Sequence, residues 1–166
     1  MEMHLESIHW ERRKPDWLAA GVAGFAAGAV LMMLGMFWSH VVEGTPWINS
    51  HRVAALLLGP QAMQSSAFSL GIVLVALFTH YLLGVVFGLA LGFVLAGLRF
   101  DSSPERALTV GALFGLVLYL LNFHVMSTAF PWFAEIRGWV TLAMHLIFGL
   151  TAAALYWKLQ RAPRSR

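Results

Sequence analysis

The sequence predicts an all-α membrane protein, a bundle of four transmembrane helices, and three observations predict it. Only 11% of the 166 residues are charged, where a soluble domain carries roughly 25%. The Leu, Ala, Gly and Phe residues gather into four long blocks, and the mean hydropathy is +0.71. The Lys and Arg residues lie between and beyond those blocks, nearly all on one side of the membrane that the blocks imply.

A helix needs about 20 mainly apolar residues to cross the hydrocarbon core. Trp17 to Val42 supplies the first span, Phe68 to Leu98 the second, Leu108 to Met126 the third and Trp139 to Trp157 the fourth. Open strands cannot satisfy their backbone groups in lipid, so the spans are helices. Residues 1–16 read as a leader outside the bilayer and residues 17–166 as one domain. The first apolar run is too long for a signal peptide, and Met36-Phe37-Trp38-Ser39-His40 makes a poor cleavage site. Ile48 to Leu58 is apolar but too short to cross. It reads as an interfacial or re-entrant helix, ended by Gly59-Pro60, with His51 exposed at the surface. Ser103 before Pro104 reads as the N-cap of the third span.

Direction follows from the cations, because positively charged loops stay in the cytoplasm. Arg12, Arg13, Lys14, Arg99, Arg106, Lys158, Arg161, Arg164 and Arg166 fall on one side, and only Arg52 and Arg137 on the other. Nine against two puts both termini on the cytoplasmic side and both loops that carry Pro-Trp outside. The pI of about 9.8 thus reports topology. The cations form no dense patch, and no nucleic-acid partner is expected.

An ordered set of features occurs twice. Gly24-xxx-Gly28, His40, Pro46-Trp47 and Arg52 precede His80-xxx-Gly84. Gly111-xxx-Gly115, His124, Pro131-Trp132 and Arg137 precede His145-xxx-Gly149. Both sets begin inside and run outward, so they predict two parallel helical hairpins related by an axis along the membrane normal. In lipid, small residues drive helices together by close packing. Gly84, Gly88, Gly92 and Ala96 form a glycine-zipper stripe on the second span, and Gly149 and Ala153 a shorter one on the fourth.

A histidine heads each stripe. His80 and His145 share the close-contact face with the glycines, and His145 lies about 9 Å deep from Trp139 at 1.5 Å per residue. One reading is a neutral imidazole hydrogen-bonded to a neighbouring helix through Thr79, Tyr81, Asn122 or Thr141. The sharper reading is a pair of ligands for a b-type haem or a divalent metal, with the glycines leaving room for a flat macrocycle and with His124 and His40 as further metal-ligand candidates. By helical angle His40 and His124 lie off the Gly-xxx-Gly faces, whereas Asn122 lies on one. Outside, Trp47, Arg52, Trp132 and Arg137 read as a cap over the histidines, with Glu43 and Glu135 available to pair with the arginines.

The chain has no cysteine, which excludes disulfides, thiolate metal sites and cysteine nucleophiles. No Ser-His-Asp order, phosphate loop or pair of intramembrane carboxylates can be assembled. Leu121-Asn-Phe-His124, Phe130-Pro-Trp-Phe133, Arg137-Gly-Trp139 and His145-Leu-Ile-Phe-Gly149 resemble a family of small bacterial four-helix membrane proteins, some labelled sodium:proline symporters. The resemblance is closest in the C-terminal half. It implies a bacterial membrane protein and carries over no catalytic or binding residue. The expected function is a small non-catalytic membrane subunit or accessory protein, a homo-oligomer or part of a larger membrane complex. The alternative is an oligomeric transporter or channel with proton-linked histidines, and a His-ligated metalloenzyme comes third.

Overall fold

The computed structural model describes residues 14–98, 100 and 103–160. His4, His9, Arg12, Arg13, Arg99, Asp101, Ser102, Arg161, Arg164 and Arg166 lie outside the described residues. Among the described residues there is no strand. Four helices are long and apolar enough to cross a membrane: α1 (Trp17–Glu43), α3 (Leu70–Gly97), α4 (Pro104–Leu120, continuing to Thr128) and α6 (Trp139–Leu159). The predicted all-α bundle is the fold found.

Each helix begins and ends where its sequence changes character. Asp16 caps α1, its side chain accepting from the Ala19 N–H at 3.0 Å, which satisfies one of the free donors of a first turn. Gly44 ends the helix at φ 73°, a left-handed conformation that costs glycine little. Short helix α2 (Ile48–Leu58) has the bounds expected of it, and a 3₁₀ turn, Pro60–Met63, follows. The third span starts earlier than predicted, because Pro104 is pre-set for a first helical turn. Ser103 sits at its N-cap, but the hydroxyl makes no capping bond.

Small residues decide which helices touch. On α1, Ala20, Gly24 and Gly28 face α3. A methyl group at Gly88 would stand 2.5 Å from Ala20 O and from Gly24 Cα, so backbone meets backbone there. On α4, a methyl group at Gly111 would stand 2.6 Å from Ala153 Cβ. Gly24 faces Gly84 O as Gly111 faces Gly149 O, so the two hairpins cross in the same register at equivalent residues of the repeat. Ala19, Ala23 and Ala27, one residue further round α1, are also buried. They join Phe148, Ala152, Ala153 and Tyr156 of α6 in the core.

Two buried stripes place α1 in the middle. The helices run in the order α3, α1, α6, α4, and the outer pair, α3 and α4, scarcely touch. The pseudo-symmetry therefore holds within the hairpins and is broken between them. Away from these contacts the large side chains face outward, as with Phe37 at 68% and Phe78 at 62% exposure. In water such a belt would aggregate; in a bilayer it meets solvent of its own kind.

Candidate functional site

The close-contact faces carry His80 and His145 toward the inside of the bundle, where both rings are half-buried. Their nitrogens, however, are engaged. His80 Nε2–H donates to Gly28 O across the first hairpin at 2.8 Å. His145 Nδ1–H donates to Thr141 O of its own helix at 2.8 Å, and its Nε2 accepts from Asn122 Nδ2 at 3.1 Å. Both tautomers follow from the acceptors, since a carbonyl oxygen can only receive. Tyr119 and Phe123 complete the surroundings of the His145 ring, with centroids 6.2 and 5.3 Å away.

Asn122 reaches His145 through a local change of helix. Leu121–Val125 is π-helical, and such turns recur where a side chain must be re-aimed. Asn122 is turned inward and His124 outward, as the helical angles predict. Beyond this turn the free backbone carbonyls need donors of their own. Arg137 Nε donates to Phe123 O at 2.8 Å and its Nη2 to Ser127 Oγ at 3.3 Å.

These distances do not fit a haem or metal held between His80 and His145. Neither Nε2 offers an unengaged lone pair, and only Nδ1 of His80 is left to ligate. The room expected beside the glycines is also taken. Backbone of α1 fills it at Gly84 and Gly88, and backbone of α4 fills it at Gly149. His40 and His124 are both exposed and do not join the pair. Among the described residues no three His, Asp or Glu side chains are grouped to hold a metal ion.

His51 is a second correction. It is 4% exposed, with Nδ1 at 2.6 Å from Ala62 O and Nε2 at 2.9 Å from Ala67 O. Its ring ties α2 to the segment leading into α3. The apolar neighbours of His51 in the sequence suggested a surface face; the chain that folds back over α2 is what buries it.

A cavity of about 310 Å³ opens where the two hairpins meet, at the end of the bundle that carries α2. Its walls include Trp38, Ser39 and Glu43 of α1, Asn49 and Arg52 of α2, Glu135 and Arg137 beside α5 (Trp132–Glu135), and Trp139, Thr141 and Met144 of α6. Arg52 Nη1 donates to both oxygens of Glu43, at 2.9 and 3.1 Å. Glu135 does not pair with Arg137, whose two bonds go to Phe123 and Ser127. Trp38 and Trp139 meet edge to face with centroids 6.0 Å apart. Ser39 is 3% exposed, and its hydroxyl has no hydrogen-bond partner among the described residues.

Of the four cap residues expected from the sequence, Arg52 and Arg137 line this cavity. Trp47 instead packs edge-on against Phe68 at 4.9 Å. Trp132 is buried between Phe130 and Phe133, with its Nε1–H unpartnered among the described residues. The aromatic wall comes from Trp38 and Trp139, which sit inside helices and carry no Pro-Trp signature. No family model, curated protein or solved structure matches the chain.

Proposed function

We propose that the protein is a non-catalytic accessory protein of the bacterial inner membrane whose working site is the cavity between its hairpins, on the outer face. The observation that carries this is the cavity itself. It gathers the two arginines and the two glutamates that the cation count assigns to the outer side, drawn from both halves of the chain. Both termini then lie in the cytoplasm. The exposed apolar belt is covered by lipid, by further copies of the chain or by larger membrane subunits.

Packing favours a holding role over transport. Between the cavity and the terminal end of the bundle lie Ala20, Ala23, Ala27, Phe148, Ala152 and Ala153, all buried in one cluster. A conducting path would need polar groups or water at that depth. Proteoliposomes loaded with a pH-sensitive dye are expected to show no proton flux in either direction, and no uptake of labelled solutes. Flux above that of empty vesicles would overturn the holding role and restore the transporter reading. A reporter fused to the C-terminus is expected to read cytoplasmic, and a periplasmic signal would invert the site.

A further inference from the structure

The cavity carries charges of both signs, and they are not equivalent. Glu43 and Arg52 neutralise each other at 2.9 Å. Glu135 and Arg137 line the same space without pairing, so one anionic and one cationic position stand apart on its wall. Arg137 has spent Nε and Nη2 on neutral acceptors, which leaves its positive charge uncompensated and its Nη1 without a partner among the described residues. Glu135 and the Trp38–Trp139 pair line the same cavity, and aromatic faces attract ammonium groups. The Ser39 hydroxyl and the Asn49 carboxamide also line the cavity with no hydrogen bond of their own among the described residues.

We infer that the cavity binds a small zwitterion, a molecule carrying an ammonium group and a carboxylate or phosphate a few bonds apart. The ammonium lies at Glu135 against the tryptophan rings. The anion lies at Arg137, with Ser39 and Asn49 as neutral partners. A simple anion would meet the unpaired Glu135, and a simple cation Arg137; a zwitterion answers both signs at once. A volume of about 310 Å³ is at the small end for ligand sites, which limits the occupant to a headgroup or a molecule of amino-acid size. Two sources present this chemistry on the outer face, a phosphoethanolamine lipid headgroup and a free amino acid.

The inference rests on the cavity being the working site. The test is calorimetric titration of the full-length protein in a nonionic detergent, with four probes. Glycerophosphoethanolamine stands for the headgroup and alanine for the free zwitterion; ethanolamine and glycerol 3-phosphate each carry only one of the two charges. At least one zwitterion is expected to bind, and which one binds identifies the source. Glu135→Gln is expected to weaken that binding about tenfold or more, and Arg137→Gln likewise, since each removes one member of a charge-assisted contact. Arg137 also holds the π-helical turn, so Glu135→Gln, which breaks no bond within the protein, is the decisive variant. Equal binding of a single-charge probe, or no binding of either zwitterion, overturns the inference. Proton or solute flux in vesicles would overturn the holding role separately, whatever the titration gives.

Discussion

His51 has a carbonyl oxygen in front of each ring nitrogen, Ala62 O and Ala67 O. His145 differs, because Asn122 offers its Nε2 a donor, and His80 differs again, because one carbonyl alone faces it. His51→Ala is expected to lower stability by about 1–3 kcal/mol, the range for a buried polar group left without its partner. Thermal unfolding in detergent measures it, and amide exchange should rise first between Ala62 and Ala67. His80→Leu is expected to cost about 1 kcal/mol, as interhelical hydrogen bonds in membranes contribute about 0.6 on average and at most about 1.7. The purified protein should show no Soret band. A Soret band lost in His80→Leu would reinstate the haem. The sequence placed His80, His145 and Asn122 on inward faces correctly, since helical angle depends only on spacing. It could not assign their hydrogen-bond partners, because Gly28 O and Thr141 O are backbone atoms with no signature of their own.

At the scale of the element, the small-residue stripes are the part of the fold most legible in the sequence. Gly84 and Gly88 meet α1 and Gly149 meets α4, each through backbone. Gly88→Leu is expected to cost about 1–3 kcal/mol or more by overpacking, read as a lowered unfolding midpoint. A methyl group at Gly71 would have nothing within 4 Å of it, so Gly71→Leu should leave the midpoint unchanged. Equal effects at both sites would mean that helix propensity, not crossing distance, sets the cost. The second stripe of α1, Ala19, Ala23 and Ala27, is what draws α6 against α1. The glycines were expected to leave space for a cofactor. They do the reverse, because a missing side chain lets a neighbouring helix come closer. The π-helical turn at Leu121–Val125 has no local signal in Leu-Asn-Phe-His-Val, and its partner Arg137 lies beyond a separate short helix.

For the whole molecule, the repeated order of Gly, His, Pro-Trp and Arg foretold two parallel hairpins. It did not foretell their arrangement, in which α1 and α6 form the middle while α3 and α4 scarcely touch. That arrangement comes from the Ala19, Ala23 and Ala27 stripe of α1, which is not part of the repeat. Because each hairpin is self-contained, fragments 1–101 and 102–166 co-expressed as separate chains are expected to copurify through the α1–α6 contact. Failure to copurify would mean that the connecting loop holds the halves together. The cavity depends on the same contact, since its walls come from both hairpins. The chain contains no cysteine, so Asn49→Cys introduces a single thiol at a half-buried position of the cavity wall. A small membrane-impermeant thiosulfonate reagent added to intact cells should label that thiol, and prior treatment of the outer face should block later labelling in opened cells. Labelling only after the cytoplasmic face is exposed, or only after denaturation, would contradict an outward-open cavity between the hairpins.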